Sequence, residues 1–75
     1  MRKITITDEA VFSVLAHSFS VYSDSSYTLN YSADGEHFTA WEEETPAGET
    51  LIVNGVAKGM KFYLDGNSGD AIITY

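Results

Sequence analysis

Two histidines, His17 and His37, are the side chains that titrate near neutrality without help, so any acid–base or metal chemistry would start there. His17 is followed by Ser18 and then Asp24, the ingredients of a hydrolase triad without its local signatures. Neither histidine has a nucleophile and an orienting acid at a recognised spacing, and both are expected to be partly exposed strand residues. Two histidines on separate strands set no metal-ligand spacing. Asp65-Gly66-Asn67-Ser68-Gly69-Asp70 places oxygen ligands at positions one, three and six, which invites a calcium reading. A helical calcium loop also needs an oxygen ligand at five and a bidentate Glu at twelve. Here position five is Gly69 and position twelve lies past Tyr75, so a Gly- and Asn-rich hairpin connection is the expectation. Glu42-Glu43-Glu44 suggests a patch for a cation or a basic partner, or a glycosidase carboxylate pair, but a chain this small has little volume for a cleft. Three adjacent acids at a strand end more often form a solvated rim that discourages edge pairing. The expectation is a protein that is not an enzyme and uses no cofactor or metal.

The aromatic residues carry more information. Trp41, Tyr22, Tyr27, Tyr31, Tyr63 and Tyr75 are many large rings for one small core, and some must lie on the face opposite Phe38, Phe62 and Leu64. Tyr and Trp outside a core anchor protein interfaces and sugar-stacking platforms. Rings covering both faces of a thin sandwich for stability alone would give the same pattern, and the two readings weigh equally.

The elements that must position these residues are strands. Alternation with a period of two, β-branched residues and aromatics dominate, and no helical stripe persists for three turns. Strands are expected at Lys3–Thr7, Ser18–Ser23, Tyr27–Ser32, His37–Glu43, Glu49–Val53, Met60–Leu64 and Ala71–Tyr75. Val11–Ala16 fits either a short strand or one helical turn with Val11, Val14 and Leu15 inward. Asp24-Ser25-Ser26, Thr45-Pro46-Ala47-Gly48 and Asn54-Gly55 break the chain, and Asp34-Gly35 reads as a tight hairpin turn. Seven to eight short strands describe a single small antiparallel β-sandwich or jelly-roll-like domain spanning residues 1–75.

Composition sets the outer bounds. At 75 residues there is room for one domain. Such a chain buries only about 60–65% of its unfolded surface, so an oligomer or a larger body is the expected aid to stability. There is no cysteine, which removes disulfides and thiolate zinc sites. The start, Met1-Arg2-Lys3-Ile4-Thr5-Ile6-Thr7-Asp8, has no apolar run for a signal peptide, and no segment is long enough to span a membrane. A soluble chain kept in the cytoplasm of the producing cell, with no membrane partner, is expected. All four bases are Arg2, Lys3, Lys58 and Lys61, and between Ile4 and Ala57 there are acids only. A net charge of −7 repels phosphate backbones, which argues against nucleic-acid binding and favours solubility. Arg2 and Lys3 are either ordered or an arm reaching an acidic neighbour.

Tyr31-Ser32-Ala33-Asp34-Gly35-Glu36-His37-Phe38-Thr39-Ala40-Trp41 resembles a hairpin of β-sandwich modules in bacterial surface and phage structural proteins. It is also similar to the sialidase Asp-box, Ser-x-Asp-x-Gly-x-x-Trp, but one residue short between Asp34 and the aromatic. A single copy forms no propeller. In such hairpins the Asp caps the turn, the Gly permits it and the aromatics pack. With Pro46–Leu51 and Lys58–Leu64, this stretch resembles small decoration or auxiliary capsid proteins of tailed phages, particularly those of gut Bacteroidales. The likeness covers about half the chain and rests on short motifs of turn and core residues, so it transfers no functional residue. It implies a short β-protein present in many copies on a virion. The leading expectation is therefore a virion structural protein, a capsid decoration or auxiliary protein on the outer particle surface. It would bind a capsid or other virion protein through aromatic side chains, as a homo-oligomer. A carbohydrate-binding module led by Trp41, or a small acidic inhibitor or regulatory protein whose surface mimics nucleic acid, are the alternatives.

Overall fold

A computed structural model describes residues 1–75 and contains seven strands. They are β1 (Lys3–Thr7), β2 (Ser18–Ser23), β3 (Thr28–Ser32), β4 (Thr39–Ala40), β5 (Thr50–Asn54), β6 (Lys61–Asp65) and β7 (Asp70–Thr74). Every pairing is antiparallel. One sheet has the order β1-β7-β2-β5 and the other β4-β3-β6. The strands form where alternation allows one face to be buried: Phe19, Val21 and Ser23 of β2 point inward while Ser18 and Tyr22 are exposed. β5, β6 and β7 repeat this pattern with Leu51 and Val53, Phe62 and Leu64, and Ala71 and Ile73.

The core lies between the sheets and is fastened by three rings. Phe19 of the four-stranded sheet meets Phe62 of the other edge-on at 4.9 Å between centroids. Phe12 contacts both, at 6.0 and 5.6 Å. The two edge-to-face pairs, Phe12–Phe19 and Phe19–Phe62, add about 0.5–1.5 kcal/mol each beyond the area they bury.

Val11–Ala16 is neither a helical turn nor a full strand. Phe12 and Val14 face inward, whereas Val11 and Leu15 are exposed. The segment runs extended past β6, where Phe12 and Phe62 exchange backbone bonds of 2.9 and 2.8 Å. His37–Glu43 shortens to the two residues of β4, although the Trp41 amide still donates to the Leu29 carbonyl at 2.8 Å. The chain then leaves the sheet through Glu42–Glu44 and returns at Thr45, which exchanges backbone bonds with Tyr27. Three adjacent carboxylates cannot alternate into a ladder without turning one inward, so they bulge out.

The link from Asp34-Gly35 is wider than a tight turn, because the last paired residues are Tyr31 and Thr39. Asp65–Asp70 is not a hairpin either: β6 and β7 belong to different sheets, and the loop arches between them. Arg2 is ordered, its backbone exchanging bonds with Tyr75 beyond the β1–β7 ladder.

Candidate interaction surface

The histidines are occupied separately. The His17 ring meets the Val56 carbonyl through Nδ1 at 2.9 Å, so that nitrogen carries the proton. Ser18 and Asp24 sit at opposite ends of β2, roughly 20 Å apart by strand rise, too far for a triad. His37 is exposed and pairs with Asp34 at 2.8 Å. Nowhere do three His, Asp, Glu or Cys side chains converge at metal-binding distance.

Asp34 organises its own loop. Its Oδ1 accepts from the Ser32 hydroxyl at 2.7 Å and from the amides of Glu36 and His37 at 2.8 and 2.9 Å. Ser32 Oγ in turn accepts the Asp34 and Gly35 amides. The His37 amide first, then its ring, then the Glu36 amide and the Ser32 hydroxyl hold the Asp34 carboxyl well below the usual carboxylate range. Gly35 has φ +80°, the left-handed region that favours glycine. The capping role implied by the resemblance is the geometry found here.

The Asp65–Asp70 loop spends its polar groups on the rest of the chain. Asn67 is 4% exposed. Its carbonyl oxygen accepts from Ser23 and Ser25 at 2.5 and 2.9 Å, and its amide donates to the Asp8 and Gly69 carbonyls. The Gly66 and Gly69 amides donate to the carboxylates of Glu9 and Asp8. Asn67, the central oxygen of the calcium reading, is thus a buried tie between loops.

The six rings fall in different places. Tyr27 is fully buried and cannot anchor a partner at the surface. Its hydroxyl has no hydrogen-bond partner, and burial pushes its pKa up to about 12. The nearby Thr45 hydroxyl works the other way without reaching bonding geometry, and the Glu42 charge adds to the rise. Tyr31 and Trp41 meet edge-on at 5.5 Å and pack against the core. Phe38 instead meets Tyr63 at 5.0 Å on the outer side of the three-stranded sheet. The split of Phe38 from Trp41 follows the alternation, but the inward and outward sides are reversed from expectation. Tyr75 packs at the core margin, beside Met1, Leu15 and Ala16. Tyr22 is exposed, and its hydroxyl donates to Asp24 at 3.1 Å. That bond, then the Asp24 charge and some desolvation, raise its pKa.

Tyr22 lies on the broad outer face of the four-stranded sheet. Across the outer face of the four-stranded sheet, one row reads Thr5, Ile72, Tyr22, Thr50. The next reads Lys3, Thr74, Ser20, Ile52, followed by Ser18 beside Asn54. Lys3 and Asp70 mark corners and Asp24 stands at the margin beside Tyr22, and the strand residues between them are uncharged. Ile52 and Ile72 are exposed. The face continues into a shallow cleft of about 390 Å³ lined by Met1, Ala16, Phe19 and Tyr75 as well as Ile52. The Ser/Thr alternation of these strands carried the signal for this face, whereas attention to the rings alone misses Ile52 and Ile72.

Glu42, Glu43, Glu44 and Glu49 line a separate open cleft of about 530 Å³ beside Pro46 and Leu51. No helix of the structure is long and apolar enough to cross a membrane. Comparison of this chain with family models, with curated proteins and with solved structures finds no match.

Proposed function

We propose that the chain is a non-enzymatic structural protein, a decoration or auxiliary protein on the outside of a virion. It docks on a protein partner through the uncharged outer face of its four-stranded sheet. The observation that carries this reading is the contrast between a net charge of −7 and a sheet face whose strand residues carry no charge between Lys3 and Asp70. Depletion of charge with exposed aliphatic and aromatic residues marks the centre of a protein interface. Ile52, Ile72 and Tyr22 supply those residues, and the Ser and Thr hydroxyls around them keep the free face wettable.

Two further features support the reading. Ser32, Asp34 and His37 meet at the surface, but the Ser32 hydroxyl donates to Asp34 and not to the His37 ring, so no base stands on the nucleophile. Net negative charge disfavours the interior of a particle packed with nucleic-acid phosphate and suits its outer surface.

The test is whether purified particles from the producing host carry the protein through a wash in about 1 M salt. There exposed charge interactions are screened beyond about 3 Å. Retention is the expected result. Absence from particles together with binding on a glycan array would replace this reading with a carbohydrate-binding module.

A further inference from the structure

The two sheets have four edges, and three are protected in recognisable ways. Phe12 covers β6 by exchanging two backbone bonds with Phe62. β4 is only two residues long. β1 carries Lys3 and is followed by Asp8 and Glu9, with Asp8 at φ +55° bending the chain away. Short edges, edge lysines and covering segments are the usual defences against pairing with another chain.

β5 has no covering segment, no lysine and full strand length, and its acids, Glu49 with Glu42–Glu44, stand at one end only. Thr50-Leu51-Ile52-Val53-Asn54 contains no charge, proline or glycine, and it pairs only with β2. The backbone bonds just outside its two ends, from Gly48 to the Ser23 carbonyl and from Val56 to the His17 carbonyl, also point toward β2. Its far edge therefore presents unpaired amides and carbonyls along a full strand, with Ile52 60% exposed beside them.

We propose that this edge receives β5 of a second copy of the chain, antiparallel, about a twofold axis perpendicular to the sheet. The charges at the ends of the strand select this occupant. Glu49, with Glu42–Glu44 in the same cleft, lies at the start of β5, and Lys58, one of only four bases, lies past its end. An antiparallel pair sets the acidic end of each copy toward Lys58 of the other, whereas a parallel pair would set acids against acids. Centring the pair on Ile52 keeps the whole uncharged run in register, with Thr50 opposite Asn54. Both edges are used by the one contact, so assembly closes at two. The product is an eight-stranded sheet whose two uncharged faces form one platform. This goes beyond docking by the face, since the edge is a separate surface.

Native mass spectrometry and sedimentation of the full chain test the pairing. The wild-type chain is expected to be dimeric at micromolar concentration. Lys58→Glu is expected to raise the dimer dissociation constant about tenfold at low salt, because the twofold repeats each reversed pair. Glu49→Lys together with Lys58→Glu is expected to restore it. The chain has no cysteine, so Ile52→Cys also reports the register directly. Oxidation should give a covalent dimer with Ile52→Cys and none with Ile72→Cys. A monomeric wild-type chain, a dimer indifferent to Lys58→Glu, a double swap that fails to restore pairing, or cross-linking through Ile72→Cys would each overturn the proposal. Ile72→Lys perturbs the docking face away from β5, so loss of docking and loss of pairing are separately visible.

Discussion

The two Asp- and Gly-bearing loops of this small sandwich solve the same problem in opposite ways. The loop after β3 is self-contained: Ser32, Asp34, Glu36 and His37 satisfy one another within three residues, at the surface. The loop after β6 has only two local bonds, from the Asn67 backbone amide to Leu64 and from its side-chain amide to Gly69. Its buried Asn67 instead reaches Ser23, Ser25 and Asp8 across the chain, joining three connections at one end of the sandwich. A local network protects one hairpin, and a long-range one holds the two sheets together. Both networks bind Asp or Asn side chains to the chain itself, one within a hairpin and the other between loops.

The long-range loop should be the harder one to damage without consequence. Asn67→Ala removes four hydrogen bonds and strands buried partners, so a loss of roughly 2–4 kcal/mol is expected in denaturant melts. A loss below that of the hairpin variants would reverse the ranking of the two loops.

The self-contained loop should respond more mildly. Gly35→Val must adopt φ +80° in a β-branched residue, at a cost of about 1–3 kcal/mol. A Cβ there meets only Lys61 Cγ at 3.5 Å, so the penalty is backbone strain rather than a clash. An unchanged melting temperature would show that the left-handed geometry is dispensable.

The smallest effect is electrostatic and depends on pH. The folded Asp34 carboxyl titrates below its unfolded value, so the unfolded chain takes up the proton first as pH falls. Its contribution is full above the ordinary carboxylate pKa of about 4 and is lost as pH drops toward the folded value. Asp34→Asn should flatten the melting curve against pH below about 4, and His37→Ala should flatten it partly. Wild-type pH dependence in both variants would remove Asp34 as its source.

How much of this was legible in the sequence follows the same local and long-range divide. The strands with clean alternation, β2, β5, β6 and β7, lie within a residue of where their residue types place them. Ser32-Ala33-Asp34-Gly35 announces its cap because donor and acceptor are neighbours in the chain. Asn67 announces nothing, since its partners are some 40 to 60 residues away and a Gly-rich hexapeptide looks the same in a hairpin or an arch. The reversal of Phe38 and Trp41 has a similar cause. β4 alternates correctly, but which side faces the core depends on its register with Tyr31, and that register is fixed by a loop wider than Asp34-Gly35 suggests.

The proposed function requires the uncharged face of the four-stranded sheet, and not the Phe38–Tyr63 side, to meet the partner. The most direct measurement is particle retention after a high-salt wash for two surface variants, Ile72→Lys and Tyr63→Ser, each with the melting temperature of the parent. Ile72→Lys should be washed away and Tyr63→Ser should stay bound, because a lysine buried at an uncharged interface has no partner for its charge. Release of Tyr63→Ser with full retention of Ile72→Lys would contradict it.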